Sequence, residues 1–325
     1  MGVPGSAKNT KLGLDFESSF GTPKVTPTLH YFSFLASGLK SSQGLIFNKS
    51  IRADLNPLAP VLDKEDAGIS LVHYPSLESA AFFMKWLTGT LVETGTTPNF
   101  ILTSKIGTTL PPSVVAEAEV SVASTAKFLK LLGLTIDSFD IEWDAVGFLK
   151  FTVNCVGKIG SVEAATLDAS ADDWTTEDPL NHLQISALKL GGSSTTVIKS
   201  GKVSIKFNPY KDDYRAGQGA GRHSLLPDTA EISGTLDIVI DSTTILGDLA
   251  AGIAGTSIEV VWTQAANRYF SLLLPKLTVQ AAIPAVGDSP ILMVPGAQFS
   301  AYYDAGEASA LVLELGTAYQ ATKYA

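Results

Sequence analysis

The sequence predicts a mainly β protein built from two copies of one module, each with a single helix. Three observations support this prediction: alternation of apolar and polar residues, two helical segments with capping residues, and an ordered internal repeat. The 325 residues are enough for two domains. We predict a first module with an N-terminal arm over residues 1–160, a polar, acidic linker over 161–180 and a second module over 181–325.

Strand patterns dominate the chain. The clearest is Ser138–Asp144, in which apolar residues alternate with Asp140, Glu142 and Asp144. This period of two places the three carboxylates on one face of a strand and the apolar side chains on the other. Further strands are predicted at Phe148–Val156, Lys202–Phe207 and Glu231–Asp241.

Two segments are predicted to be helical. Ser76 can cap a helix that runs to about Leu87, and Glu78 would lie in its positively polarised first turn. Residues Asp241–Thr244 can cap a second helix that runs to about Ala254. Each helix follows a predicted strand, so both halves contain the same strand–helix unit.

The first helix is apolar on nearly every side, because Phe82, Phe83 and Trp86 lie outside its main apolar stripe. A surface helix needs only one such stripe. Two interpretations remain open. Either these three residues form a subunit-interface helix that contacts a neighbouring copy, or the helix lies wholly inside its own chain.

The internal repeat consists of short matches in the same order in both halves. The copies differ most in the loop after an Asn-Pro pair, which is short at about Leu58–Ala67 and long and glycine-rich at Tyr210–Ala230. The matches are Ser37–Lys40 with Ser186–Lys189, the Asn-Pro pairs at 56–57 and 208–209, the strand–helix units, the Gly-Thr pairs at 89–90 and 255–256, and Leu134–Ile136 with Leu277–Val279.

Charge and hydropathy restrict the function classes. Charged residues make up 17% of the chain, and 32 acidic residues outnumber 23 basic ones, for a net charge of −9. This excludes a protein whose main task is binding nucleic-acid phosphates, which requires a basic surface. Mean hydropathy is +0.22, yet no apolar run is long enough to span a membrane. Such a chain is expected to bury surface against other copies of itself.

Cys155 is the single cysteine, so the chain forms no internal disulfide and no cysteine-based metal cluster. Residues 1–11 have no apolar segment of the kind found in secretory signals. Both features lead us to expect synthesis and folding in a reducing cytoplasm.

Several segments resemble chemical motifs but lack their full pattern. Gly217–His223 is glycine-rich but has no Lys-Ser/Thr pair and no surrounding βαβ unit, so it predicts a flexible assembly loop. Asp140 and Glu142 lie on one strand face, but nothing suggests a sugar cleft beside them. Asp212–Asp213 with Asp228 are interpreted as solvated carboxylates. We predict no enzyme activity, no cofactor and no metal site.

The chain resembles the major tail tube proteins of tailed bacteriophages in three places. Glu17–Pro23 is similar to the opening motif of that family, Glu-Ser/Thr-x-Tyr/Phe-Gly-Thr. Ser138–Asp144 with Val153–Lys158 is similar to its closing hairpin, which ends in Gly-Lys. Ile69–Gly89 lies where the family has its single helix. The resemblance covers residues 12–160, and it reaches the second half only through the internal repeat.

The resemblance implies tandem β-sandwich or barrel modules whose sheets join around a lumen. Versions with two fused modules form trimeric rings with pseudo-sixfold symmetry, and the rings stack into the tail tube. The implied partners are other copies of the chain, tape measure, tip or baseplate and terminator proteins, and double-stranded DNA that passes through without sequence-specific binding. The implied location is the virion tail, after assembly in the host bacterial cytoplasm.

The resemblance also implies roles for two sets of residues. An acidic lumen would repel DNA and let it slide, whereas the alternative for these acids is a solvated outer sheet face. The candidate lumen-facing residues are Asp140, Glu142, Asp144, Glu231, Ser233, Thr235 and Asp237. The candidate inter-ring loop contains Tyr210, Asp212, Asp213, Tyr214, Arg215, Arg222 and His223.

Two other functions fit a β-rich chain. A tail terminator or baseplate ring would close into a ring but would not stack without limit. A secreted carbohydrate-binding β-sandwich would need exposed aromatic residues and an export signal, and the sequence predicts neither. We therefore expect a structural protein of the virion.

Overall fold

The computed structural model describes residues 11–47, 59–122, 125–217, 219–283 and 292–324. Strands predominate in these residues, which confirms the predicted β class. The strands are β1 (Leu12–Phe16), β2 (His30–Phe32), β3 (Ala36–Ser37), β4 (Lys40–Ile46), β5 (Val61–His73), β6 (Val92–Thr96), β7 (Asn99–Lys105), β8 (Val114–Val122), β9 (Thr125–Trp143), β10 (Lys150–Gly157), β11 (Ile159–Glu163), β12 (Asp172–Asp173), β13 (Ile185–Leu190), β14 (Ser193–Ser194), β15 (Ile198–Lys206), β16 (Glu231–Val239), β17 (Ile253–Ala265), β18 (Arg268–Val279), β19 (Met293–Ala301) and β20 (Val312–Thr317). The helices are α1 (Leu77–Thr88) and α2 (Thr243–Ala251).

One antiparallel sheet runs through both halves of the chain, and we call it the shared sheet. Its strand order is β4–β5–β10–β9–β15–β16–β19, and the C-terminal end of β18 follows β19. The halves meet where β9 pairs with β15, with Glu142 opposite Lys202. The two halves are therefore joined side by side through backbone hydrogen bonds.

The strand order of the shared sheet repeats. The first half contributes β4–β5–β10–β9 and the second contributes β15–β16–β19–β18, and a helix follows the second strand of each set. Two short sequence matches do not belong to this repeat. Ser37–Lys40 lies beside β5, whereas Ser186–Lys189 lies in β13 and pairs with β17. Gly89 ends α1, whereas Gly255 lies inside β17. Such short turn and strand segments recur for local reasons, so they do not identify equivalent positions.

Other strands form a second layer and cross the predicted module boundary. The N-terminal part of β9 pairs with β8 and β11, and β1 joins β8 to β2. In the second half, β18 lies between β17 and β20, and β7 of the first half pairs with β20. The predicted linker is also packed, because Asp172–Asp173 pair with β2 and Trp174 stacks on His30 with ring centroids 4.0 Å apart.

The helix α1 is an internal helix. Ser76 caps its first turn, and Gly89 ends it with a left-handed backbone at φ 82°. Phe82, Phe83 and Trp86 are at most 1% exposed within the single chain. The subunit-interface interpretation of these side chains is therefore corrected, because the layers of their own chain already cover them.

The second helix has a different environment. Ser242 caps α2, and Gly252 follows its last residue, so the helix ends before the predicted Ala254. Leu249 is its only fully buried side chain, and most of the others are exposed. Thus α2 follows β16 as α1 follows β5, but it lies on the surface.

The short loop predicted at Leu58–Ala67 is corrected by the structure. Leu58 lies outside the described residues, but β5 already begins at Val61. Here β4 and β5 continue as a two-stranded ribbon beyond the body of the sheet, because the extended pairing runs from Lys40–Gly68 to Ile46–Val61.

Candidate functional site

The strongest candidate for function is the solvent-facing side of the shared sheet, which we call the polar face. Alternation along each strand sends its apolar residues into the core and its polar residues to this face. The strand register then aligns the polar residues in rows across both halves. One row is Lys150, Glu142, Lys202, Thr235 and Gln298, and the next is Thr152, Asp140, Ser204, Ser233 and Ser300.

The opposite side of the same strands forms the core. Phe139 and Ile141 of β9 are buried, as are Val203 and Ile205 of β15 and Leu236 of β16. A one-residue slip of any strand would exchange the two faces, so burial determines which residues lie on the polar face.

Lysines neutralise the carboxylates at the centre of the polar face. Lys202 Nζ lies 2.8 Å from Asp140 Oδ2 and 2.8 Å from Glu142 Oε1. Lys150 also contacts Glu142, and Ser204 donates a 2.6 Å hydrogen bond to Asp140. The predicted acidic face is therefore corrected to a mixed face in which the charges are paired.

The contacts around Glu142 and Lys202 favour the charged form of each of these two side chains. Burial by itself raises the pKa of Glu142, but hydrogen bonds from Lys150 and Lys202 outweigh it, so the pKa lies below its ordinary value. Burial lowers the pKa of Lys202, and the hydrogen bonds to Asp140 and Glu142 reverse the effect and raise it. The lysines are thus engaged by neighbouring carboxylates.

The other predicted lumen-facing residues lie on the same side or at its end. Ser233 and Thr235 are in the rows described above, and Glu231 lies opposite Lys206. Asp237 accepts hydrogen bonds of 2.6 Å from Ser200 Oγ and 2.7 Å from Gly296 N. Asp144 is exposed just beyond β9 and, with Glu142, Lys202 and Asp237, lines a cavity of about 380 Å³.

The predicted inter-ring loop is anchored on its own chain. Arg222 is only 5% exposed. Its guanidinium donates 2.8 Å hydrogen bonds to Gly157 O, Asp66 Oδ1 and Lys211 O. The hydrogen bond from Arg222 is the largest cause of a lowered pKa at Asp66. The inter-ring role predicted for Arg222 is therefore corrected, because its donors are used inside the chain.

Tyr214 strengthens this anchor. Its hydroxyl donates a 2.8 Å hydrogen bond to Glu65 O, and Lys64 Nζ lies 4.8 Å from its ring centroid. Lys64 also pairs with Asp212 at 3.2 Å. The loop thus joins the second half to β5 of the first half rather than extending from the molecule.

The remaining members of the loop set lie towards its outer side. Arg215 pairs with Asp213 at 3.0 Å, and the side chains of Tyr210, Arg215 and His223 are exposed. The backbone N–H of His223 donates a 2.8 Å hydrogen bond to Asp213 O. These residues are available at the surface, but the loop that carries them is fixed in place.

The sequence analysis missed a second candidate surface, the tip of the β4–β5 ribbon. The ribbon pairs Leu45 with Leu62 and Ile46 with Val61, and all four side chains are at least half exposed, as is Phe47. Exposed apolar side chains in such a cluster mark an interaction surface. In the sequence, the only indication of this surface is two short apolar runs, at residues 45–47 and 61–62. The two runs form one cluster only because β4 pairs with β5.

Among the residues that the structure describes, no group of three or more His, Cys, Asp or Glu side chains is placed to hold a metal ion. Asp212, Asp213 and Asp228 form no such group. No helix of the described residues combines the length and apolar character required to cross a bilayer.

Comparison with known proteins agrees with the geometry. A family model described as phage tail tube protein matches residues 7–302, a range that includes the shared sheet, both helices and the β4–β5 ribbon. A search of curated proteins finds no match. The chain therefore belongs to the phage tail tube protein family.

Proposed function

We propose that copies of this chain close into rings that stack into a hollow tail tube, through which DNA passes to the host. The observation that carries this proposal is the shared sheet with its repeated strand order. Because β9 and β15 join equivalent four-stranded units inside one chain, the same kind of junction can join one chain to the next. Three copies with two units each would then give a trimeric ring with pseudo-sixfold symmetry.

The outer edge at β4 supports ring closure. β4 forms one outer edge of the first half, and it holds the position in its four-stranded unit that β15 holds in the second half. An open edge strand invites uncontrolled pairing with other chains. Pairing of β4 with the next copy would remove this edge. At the opposite end of the shared sheet, Leu277–Val279 of β18 already pair with both β19 and β17, so a neighbouring copy would have to pair beyond Val279.

The polar face is proposed as the wall of the channel. DNA carries one negative charge per roughly 1.7 Å of its axis, so free lysines on the wall would bind it. Pairing of Lys150 and Lys202 with Asp140 and Glu142 leaves a hydrated wall without free cations at these positions. At these positions, such a wall would neither bind the DNA phosphates tightly nor present an apolar surface to them.

The β4–β5 ribbon is proposed as the contact between stacked rings. Its apolar tip is exposed on the single chain, whereas Tyr210–Ala230 is anchored on its own chain through Arg222 and Tyr214. As the resemblance implies, tape measure, tip or baseplate and terminator proteins are the proposed partners of the finished tube.

The test is electron microscopy of the purified chain, with its mass in solution measured in parallel. We expect hollow tubes of constant diameter built from trimers, and at higher resolution Asp140 and Thr235 on the channel wall. Closed rings that do not stack would favour a terminator or baseplate component. Tubes with these residues on the outer surface would contradict the proposed channel wall.

A variant of the ribbon separates stacking from ring formation. In Leu45→Asp combined with Leu62→Asp, we expect rings of normal mass that no longer stack, because charged tips resist burial. Gln43→Asp is the matched control on the same ribbon, since Gln43 is already polar and exposed. Normal tubes from the double variant would show that the ribbon tip is not the stacking contact.

A further inference from the structure

The two helices of the repeated units are covered to different extents. α1 packs against β7, β18 and β20 and against the C-terminal 3-10 turn Ala321–Tyr324, so the second half helps to bury it. α2 has no comparable cover among the described residues. Leu246 is half-buried and Ala250 is exposed, and their spacing of four places them on one face of α2.

The repeat identifies the surface that would cover α2. In the second half, β20 follows β19 and pairs with the N-terminal part of β18 at Tyr269–Leu273. In the first half, β11 follows β10 and pairs with the N-terminal part of β9 at Phe128–Leu132. The strands β9 and β11 are therefore the counterparts of β18 and β20, the two second-half strands that cover α1.

A groove lies at that position on the first half. It has a volume of about 320 Å³, and Leu39, Leu129, Leu131 and Val162 are among its lining residues. Val162 is 64% exposed. The surface of β9 and β11 that corresponds to the cover of α1 is thus a partly open apolar groove.

The strand pairing explains why the groove is open. Inside the chain, the β6–β7 hairpin pairs with the outer edge of β20. Along the chain, this hairpin lies between α1 and β8. The second half has no corresponding hairpin, because β17 begins at Ile253, directly after α2 ends at Ala251. Among the described strands, β11 pairs only with β9. Its other edge is occupied at Gly160, whose N–H donates a 2.6 Å hydrogen bond to Glu65 Oε1, and is exposed over Ser161–Glu163, where a helix from another molecule can approach.

We propose that α2 of one copy docks through Leu246 and Ala250 into the β9–β11 groove of a second copy of this chain. The inference rests on the proposed ring, in which the second half of one copy adjoins the first half of the next. The helix contact would add to the backbone pairing between neighbouring sheets.

Cysteine crosslinking of the full chain tests the contact directly. Leu246→Cys combined with Val162→Cys, treated with a short bis-maleimide reagent, is expected to give covalent dimers and trimers. Crosslinking through the native Cys155 should be slow, because this side chain is buried and burial raises the pKa of its thiol well above its ordinary value. The matched control combines Leu246→Cys with Leu183→Cys, since Leu183 is 84% exposed away from the groove.

A charge exchange gives an independent test. Leu246→Glu and Val162→Lys are each expected to raise the concentration at half-assembly at least about tenfold, because each puts an unpaired charge in an apolar contact. The double variant pairs the two charges and should recover most of the loss. Covalent trimers with this rescue would support the proposal, and a double variant that assembles no better than the singles would overturn it.

The outcomes separate this inference from the proposed tube. Tubes without crosslinks in the Leu246→Cys/Val162→Cys variant would overturn the helix contact and leave the tube function intact. Covalent trimers without tubes would support the contact and count against stacking. A chain that shows neither crosslinks nor assembly at any concentration would overturn both proposals.

Discussion

His73 and His30 are two of four histidines in the chain, and both are buried. His73 Nε2 lies 2.9 Å from Ser79 Oγ, and its Nδ1 contacts Ser33 O. Burial lowers the pKa of His73 to about 4, and the hydrogen bond to Ser33 offsets it only in part. Burial likewise lowers the pKa of His30 to about 4, against the opposing charge of Asp172.

These histidines predict a loss of stability in mild acid. The ordinary histidine pKa is 6.5, so the unfolded chain binds more protons than the folded chain between about pH 6.5 and 4. Lowering the pH from 7.5 to 5 should cost roughly 2 kcal/mol of unfolding free energy per buried histidine. Urea denaturation at the two pH values measures the difference.

Two variants separate this effect from other titrations. His73→Gln should reduce the pH dependence, whatever its effect on stability at pH 7.5. His223→Gln is the matched control, because the His223 side chain is exposed. An unchanged pH dependence in His73→Gln would show that His73 is not responsible.

The paired charges of the polar face lead to a second prediction. Asp140→Asn combined with Glu142→Gln removes both carboxylates that hold Lys202, and the freed lysines should bind double-stranded DNA at low salt. Fluorescence anisotropy with a short duplex measures this binding, which should weaken steeply as salt increases. Glu142→Gln combined with Lys150→Gln keeps the charge balance and should not bind. Equal binding by the two double variants would refute a role for charge pairing.

At the scale of elements, the two helices show how context changes one local pattern. Both have serine caps and both follow a strand, but α1 is enclosed by two layers and α2 is not. Phe82 of α1 stacks on Phe16 at 4.5 Å between ring centroids. The aromatic excess of α1 is therefore explained by packing within the chain.

This packing predicts that Phe82→Ala destabilises the single chain. Loss of a fully buried phenylalanine should cost about 3–5 kcal/mol of unfolding free energy, because a cavity remains. Urea unfolding of the monomer measures it, and Leu183→Ala at an exposed position is the control. If Phe82→Ala weakened assembly and left monomer stability unchanged, the interface interpretation would be restored.

At the scale of the whole molecule, the halves are interlaced. β9 pairs with β15, β7 pairs with β20, and Arg222 of the second half bonds to Asp66 and Gly157 of the first. The predicted boundary at 161–180 divides the sequence, but hydrogen-bonded strands connect the parts on either side.

Interlacing predicts one cooperative unfolding transition for the full chain. Scanning calorimetry should give a calorimetric enthalpy equal to the van't Hoff enthalpy. A chain truncated after residue 180 should not fold stably, because β7 and β9 would lose their partners β20 and β15. Two separate transitions, or a stable fragment, would instead favour independent modules.

Four features follow from the amino-acid sequence alone: the β class, the sidedness of the strands, the boundaries of α1 and the resemblance to tail tube proteins. These features depend on residues close together in the chain. Ser76 and Gly89 end α1 through local backbone geometry, and alternation places Asp140 and Glu142 on one face. Local rules also placed Lys150 and Lys202 on the polar faces of their own strands.

Which strands lie side by side depends on contacts between segments that are far apart in the sequence. Lys202 reaches Asp140 and Glu142 because β15 pairs with β9 in a particular register, which depends on packing of the whole sheet. The anchoring of Arg222, the burial of α1 and the exposure of α2 likewise arise from contacts between distant segments. Period and capping act over a few residues, whereas burial is shared by the whole core, so the paired charges and the open groove emerged only with the fold.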